Sequence, residues 1–335
     1  MITTVLGEIN ENQLGVTSSH EHIFIDMKKC VDITGNEPEC FYDEVKFENR
    51  GEVLGDPYAI LDNALLEGID DAVYEIEQFK KWGGETIIDC TLDEIGRDPL
   101  ALKEISERTG VNIIAGCGHY YHKAHYSYVK NATVEELAEE MRTDLLVGIK
   151  GTGIKAGIIG EIGTSAVISD DEKKVLRAAG IVGSETGKAI HVHTDLYTQN
   201  GYEVLELLTA EGVAPEKICI DHVDVLPDIN YIKALMDRGA YVEFDDFGKE
   251  FYLSEKRRFI YDRERIVLLK NLIDDGYGKQ ILICNDICLK TMWKKFGGPG
   301  YAHILRLVKH MAIENGIDEK TYYSILTDNV RNFVS

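Results

Sequence analysis

The chain has 335 residues, 44% hydrophobic and 28% charged, with 36 Lys and Arg against 58 Asp and Glu and a net charge of −22. These proportions exclude a disordered or fibrous chain, and the acidic balance argues against nucleic acid and anionic membranes as partners. No apolar run reaches the roughly 18 residues of a membrane span. The opening MITTVLGEINENQLG has no basic segment ahead of an apolar one, which predicts no signal peptide and a cytoplasmic location. Taken in chain order, short apolar runs fall at 15–26, 85–91, 111–118, 155–163, 188–194, 217–224, 240–247 and 280–287. Each is rich in β-branched residues, as strands buried on both faces are. Helical patterns fill the intervals. Thr133 precedes Val134-Glu135-Glu136 as an N-cap with a carboxylate three residues on. Asp170 and Asp171 place negative charge at the start of the next helix. Tyr202 to Ala210 fills one further interval, and Pro227 opens a helix that Arg238-Gly239 stops.

Eight strands alternating with helices predict a single α/β domain over 1–335, a (β/α)8 TIM barrel closed by right-handed crossovers. An open doubly wound sheet is the alternative, and the glycine fingerprint it would carry at a dinucleotide site is absent. Two segments break the rhythm: the polar stretch 27–67 after the first strand and the charged, aromatic stretch 248–265 after the seventh. The seven cysteines are spread out with no C-x-x-C pair, so a disulfide framework is not expected and a reducing compartment is.

Ionisable residues fall at the C-terminal ends of these runs, the face where barrel active sites sit. His20 and His22 close the first run in H-E-H, two residues apart and so on one face of a strand. Glu161 lies among isoleucines in the fourth, where an unpaired charge is strongly disfavoured. His193, His222 and Asp286 end the fifth, sixth and eighth. Imidazoles mixed with carboxylates suit zinc, manganese or cobalt. Six such groups exceed the needs of one tetrahedral ion and suit two divalent ions, most simply Zn2+, with a carboxylate bridge and a hydroxide between them. His191 shares the face of His193 but lies one layer deeper, as a core residue. Cys284 and Cys288 flank Asp286 without an obvious base and are read as packing residues.

The motifs HEHIFID, KAGIIGEIGTS, DHVD, FGK and NDI together resemble the phosphotriesterase family of the amidohydrolase superfamily, including its homology-protein and lactonase-like branches. The resemblance spans essentially the whole chain. It implies that His20, His22 and Asp286 bind the more buried metal and His193 and His222 the more exposed one. Many members bridge the metals with a carboxylated lysine. The corresponding stretch here is Gly160-Glu161, so Glu161 is the expected bridge and Lys155 its rival. Asp286 is the expected catalytic acid–base group, taking the proton of the attacking hydroxide.

Substrate contacts are expected from the loops after strands three, seven and eight. Tyr120 follows the third. Lys249, Lys256, Arg257 and Arg258 follow the seventh, and Lys290, Lys294, Lys295 and Tyr301 the eighth. Seven cations in two loops of a strongly acidic protein suit an anionic small molecule. Lys249 in FGK is similar to a phosphate-contacting position of the lactonase branch, which implies a lactonase acting on phosphorylated sugar lactones. Amide or phosphoester hydrolysis on the same metals, and a non-catalytic metal-containing barrel, are the alternatives. A homodimer is left open by the sequence.

Overall fold

Strand-forming residues alternate between two environments, and that alternation builds the barrel. A computed structural model describes residues 1–254 and 257–335, with the side chains at 254 and 257 outside the described set. The strands are β1 (Thr17–Glu21), β2 (Thr86–Asp89), β3 (Asn112–Cys117), β4 (Ile158–Gly163), β5 (Ile190–His193), β6 (Ile218–Ile220), β7 (Tyr241–Phe244) and β8 (Ile281–Ile283). All neighbours are parallel and follow chain order from β1 to β8. The sheet curls until its ends meet, and Ser19 Oγ donates to Ile283 O at 3.2 Å across the seam. This is the TIM barrel.

Helices α1 (Ile69–Lys81), α2 (Pro99–Thr109), α3 (Val134–Leu146), α4 (Asp170–Thr186), α5 (Gly201–Ala210), α6 (Ile229–Asp237) and α7 (Asp262–Asp274) fill the crossovers. Thr133 caps α3 as expected: its Oγ1 accepts from Glu136 N at 3.2 Å, and Glu136 Oε2 accepts from Thr133 N at 2.8 Å. The sixth helix starts two residues later than Pro227 suggested, because Asp228 caps it, accepting from Asn230 N at 2.9 Å. Within 248–265, Tyr252–Ser254 pairs antiparallel with Arg257–Arg258, and the last four residues already belong to α7. The segment 27–67 folds as 3₁₀ turns tied to the barrel by a ribbon of Ile25–Asp26 with Leu65–Leu66. Among the described residues, no helix is long and apolar enough to cross a membrane.

The outward side chains, such as Ile159, Ile162, Ile190, Val192, Ile218, Ile220, Val242 and Ile283, pack under the helices in the main core. The inward ones form a second, smaller cluster at the N-terminal end of the barrel. Ile88, Ile114, Ile158, Ala189, Cys219, Tyr241 and Leu282 meet there, closed from below by Phe333 of the C-terminal helical segment. Moving towards the C-terminal ends, the inward positions turn polar: His191 above Ala189, Asp221 above Cys219, Glu243 above Tyr241.

Candidate metal centre

The six residues singled out from the sequence converge at the C-terminal mouth. His22 Nε2 lies 3.2 Å from Glu161 Oε1 and 3.2 Å from Asp286 Oδ1. His20 Nε2 is 3.5 Å from Glu161 Oε2. His193 Nδ1 and His222 Nε2 approach the same oxygen at 3.4 and 3.6 Å and each other at 2.7 Å. Glu161 therefore has Oε1 toward His22 and Oε2 toward His20, His193 and His222, so its carboxylate stands between the two groups of imidazoles. Its position on β4 is not what simple alternation gives. Ile158 faces inward, so the residue three positions on should face out, but a register irregularity between Ile159 and Ile162 turns it in. Lys155, the rival bridge, is exposed and precedes β4 at the opposite end.

The donor set fits divalent ions on a structural ground. His20 Nε2, Glu161 Oε2 and Asp286 Oδ1 are buried and have no hydrogen-bond partner, although buried polar atoms are ordinarily paired. Each points at the same place, and each is an atom that could ligate a metal. Burial opposes ionisation of Glu161, but His20, His193 and His22 outweigh it and hold the carboxyl well below its ordinary range. Burial likewise opposes protonation of His22, yet the Asp286 and Glu161 carboxylates beside its Nε2 lift it from 6.5 to about 9. Without a cation between them, these groups keep a proton there.

Buried carboxylates behind the centre orient its imidazoles. His20 Nδ1 lies 3.2 Å from Glu243 Oε2, and His222 Nδ1 3.0 Å from Asp245 Oδ2. His22 Nδ1 meets Thr91 Oγ1 at 2.9 Å. His191 sits one layer down, its Nδ1 3.0 Å from Asp221 Oδ1 and 3.4 Å from Glu243 Oε2. It screens the two carboxylates from one another. His222 and Asp286 have φ of +64° and +43°, a conformation costing roughly 1–2 kcal/mol outside glycine. The surroundings hold them there. His222 N donates to Asp245 Oδ2 at 3.0 Å. Asp286 is held through its neighbours, since Asn285 N and Ile287 N donate to the Glu21 carboxylate at 3.1 and 2.7 Å. Glu21, the middle residue of H-E-H, is thus the latch of the eighth-strand loop. Sequence reasoning passed over it, and the one signal was an acid between two histidines in a buried strand.

A cavity of about 710 Å³ opens above the centre. Phe41, Tyr58, Tyr120, Tyr121, Tyr197, Phe251 and Phe259 supply rings to its wall, and Asp32, Glu37, Asp56 and Asp195 supply carboxylates. Tyr120 OH lies 3.1 Å from His193 Nδ1. Lys249 is the one cation among the described lining residues, and it is not free. Only 4% exposed, it donates to Asp286 Oδ2 and lies 2.8 Å from Asp246 Oδ1. It therefore sits against the metal centre rather than in a loop beyond it. Among the described residues, the rest of the expected cationic rim does not line the cavity. Lys290 Nζ binds Asp62 Oδ1 at 2.5 Å, drawn off by the 27–67 segment. Arg258 is 43% exposed at its side chain and lies 3.9 Å from Glu264. Tyr301 is fully buried, and its OH donates to His22 O at 2.7 Å as a core contact. Lys256 and the Arg257 side chain lie outside the described residues.

These features have close counterparts. The phosphotriesterase family model matches residues 1–334. An N-acetyltaurine hydrolase from Xenopus tropicalis is 33% identical over 340 residues, covering 100% of this chain and 97% of the relative. A resiniferatoxin-binding protein from Rhodobacter sphaeroides superimposes with a TM-score of 0.96 at 30% identity, covering 100% and 94% of the two chains. A lactonase from Listeria monocytogenes gives 0.81 at 27% identity, covering 100% and 98%. With the barrel, the motifs and nearly the whole chain in agreement, the protein belongs to the phosphotriesterase family and is a metal-dependent hydrolase.

Proposed function

We propose that the protein hydrolyses an acyl compound, a carboxylic amide first and a lactone second, whose remaining body is uncharged and apolar or aromatic. The observation carrying this reading is the cavity wall. Rings line the wall, the rim carries Asp32, Glu37, Asp56 and Asp195 with Lys123 already paired to Asp32, and Lys249 already serves two acids. A phosphorylated sugar lactone would bring its phosphate to an acidic, aromatic mouth. The sulfonate of N-acetyltaurine, the compound named for the Xenopus relative, would meet the same wall. The amide linkage in that name, rather than its anion, is the part this cavity suits. The lactone reading is favoured by the Listeria neighbour.

His20, His22, Glu161, His193, His222 and Asp286 would hold two divalent ions, with Glu161 between them. Such ions supply a water of lowered pKa and polarise a carbonyl oxygen. The remaining steps belong to the chain. Burial would raise the Asp286 carboxyl, but Lys249, His22 and His20 hold it far below its ordinary value, so it is a carboxylate able to accept a proton. As water adds to the carbonyl carbon, Asp286 takes its proton and passes it to the leaving nitrogen or oxygen. Tyr120 and the wall rings exclude water and orient the acyl group. The test is a panel of amides, lactones and phosphorylated lactones assayed with metal-reconstituted protein. Turnover of neutral amides or lactones is expected, and a clear preference for the phosphorylated lactone would refute the reading.

A further inference from the structure

Asp246 follows β7 and is used by none of the steps above. It is 1% exposed and lines the cavity. Its Oδ1 is held by Lys249 Nζ at 2.8 Å, whereas Oδ2 is buried without any hydrogen-bond donor. One of its carboxylate oxygens lies within 4.8 Å of ligating atoms of both His222 and Asp286. A carboxylate oxygen left without a donor in a buried site is costly, so the position calls for a partner carrying N–H or O–H. It stands beside the groups between which the scissile bond must lie. Of the two linkages considered, only a secondary amide brings a donor there. An ester or lactone presents an oxygen with lone pairs, which the carboxylate repels.

We propose that Asp246 is a specificity-determining residue, accepting a hydrogen bond from the scissile N–H and so favouring secondary amides over esters and lactones. This rests on the acyl-hydrolase reading of the same site. Asp246 exchanges no proton in the reaction. The carbonyl carbon gains a bond to the oxygen of water, the C–N bond breaks, and the proton taken by Asp286 ends on nitrogen. The hydrogen bond to Asp246 keeps that nitrogen's lone pair turned towards Asp286.

The test uses three matched compounds, acetanilide, N-methylacetanilide and phenyl acetate, with the metal-reconstituted protein and its Asp246→Asn and Asp246→Ser variants. Metal content and melting temperature are measured on each sample. Wild type should favour acetanilide over N-methylacetanilide, which lacks the N–H, by about 10- to 100-fold in kcat/KM. In both variants the acetanilide-to-phenyl-acetate ratio should fall by about the same factor with metal content kept. Equal losses on all three compounds would overturn the proposal, since a merely structural role acts on every substrate alike. Loss of metal would overturn it by making Asp246 a ligand. Wild type that handles N-methylacetanilide as well as acetanilide overturns it while leaving acyl hydrolysis standing, and does so without any variant having to fold. No turnover of any compound overturns both this proposal and the acyl-hydrolase reading.

Discussion

The two ends of the barrel interior are made from the same strands and obey opposite rules. At the N-terminal end, Ile88, Ile114, Ile158, Tyr241 and Leu282 meet beneath a plug of Phe333, and burial of apolar area holds the layer together. A few residues higher on the same strands, His20, His191, Asp221 and Glu243 are as deeply buried and make no apolar contribution. That layer persists because each charge has an opposite charge beside it, with His191 between Asp221 and Glu243. The ring of His191 packs edge-on against Phe333 with centroids 5.0 Å apart, so the two regimes touch. The apolar end supplies stability, and the polar end uses that stability to keep like charges close around a metal centre.

The comparison breaks most visibly at Glu161. Glu161→Gln keeps the shape and removes the negative charge between two cations. Metal content should collapse and turnover fall with it by about 10³-fold, the several kcal/mol that metal assistance supplies. Elemental analysis beside kinetics checks this, and a variant that keeps both metals would remove the bridging role. Phe333→Ala attacks the other end. It should cost about 3–5 kcal/mol of unfolding free energy by denaturant titration, yet the folded protein should still take up two metals.

Glu243→Gln probes the layer where the regimes meet. The imidazole of His20 loses its orienting carboxylate, and metal affinity should weaken about 10- to 100-fold by competition with a chelator. Unaltered affinity would confine Glu243 to packing. The smallest effect sharpens the electrostatic side. In the metal-free protein His22 has a folded pKa raised from 6.5 to about 9. Its protonation therefore stabilises the metal-free fold fully below 6.5, and that contribution is lost as pH rises through about 9. Metal must displace that proton, so apparent affinity should weaken by about tenfold per unit as pH falls from 9 to 7. Calorimetry in buffers of different ionisation enthalpy should record the released proton, and Phe333→Ala should leave the count unchanged.

Much of this was written locally. Short β-branched runs with capped helices between them specify strand, helix and barrel, because periodicity and capping act over a few residues. Histidines and carboxylates at the run ends mark the mouth, because alternation in a strand is a fixed geometry. Tertiary structure decided the rest. Glu161 faces inward only because β4 shifts register against β5, which no reading of β4 alone contains. Glu21 became a latch because the loop after β8, more than 260 residues away in sequence, brings Asn285 N and Ile287 N to it. Two of the cations expected at the rim were redirected by acids the fold places beside them: Lys290 by the distant Asp62, and Lys249 by the distant Asp286 together with the neighbouring Asp246. Composition gives a lysine its charge, but the acids that the fold places within reach decide whether that charge remains available to a substrate.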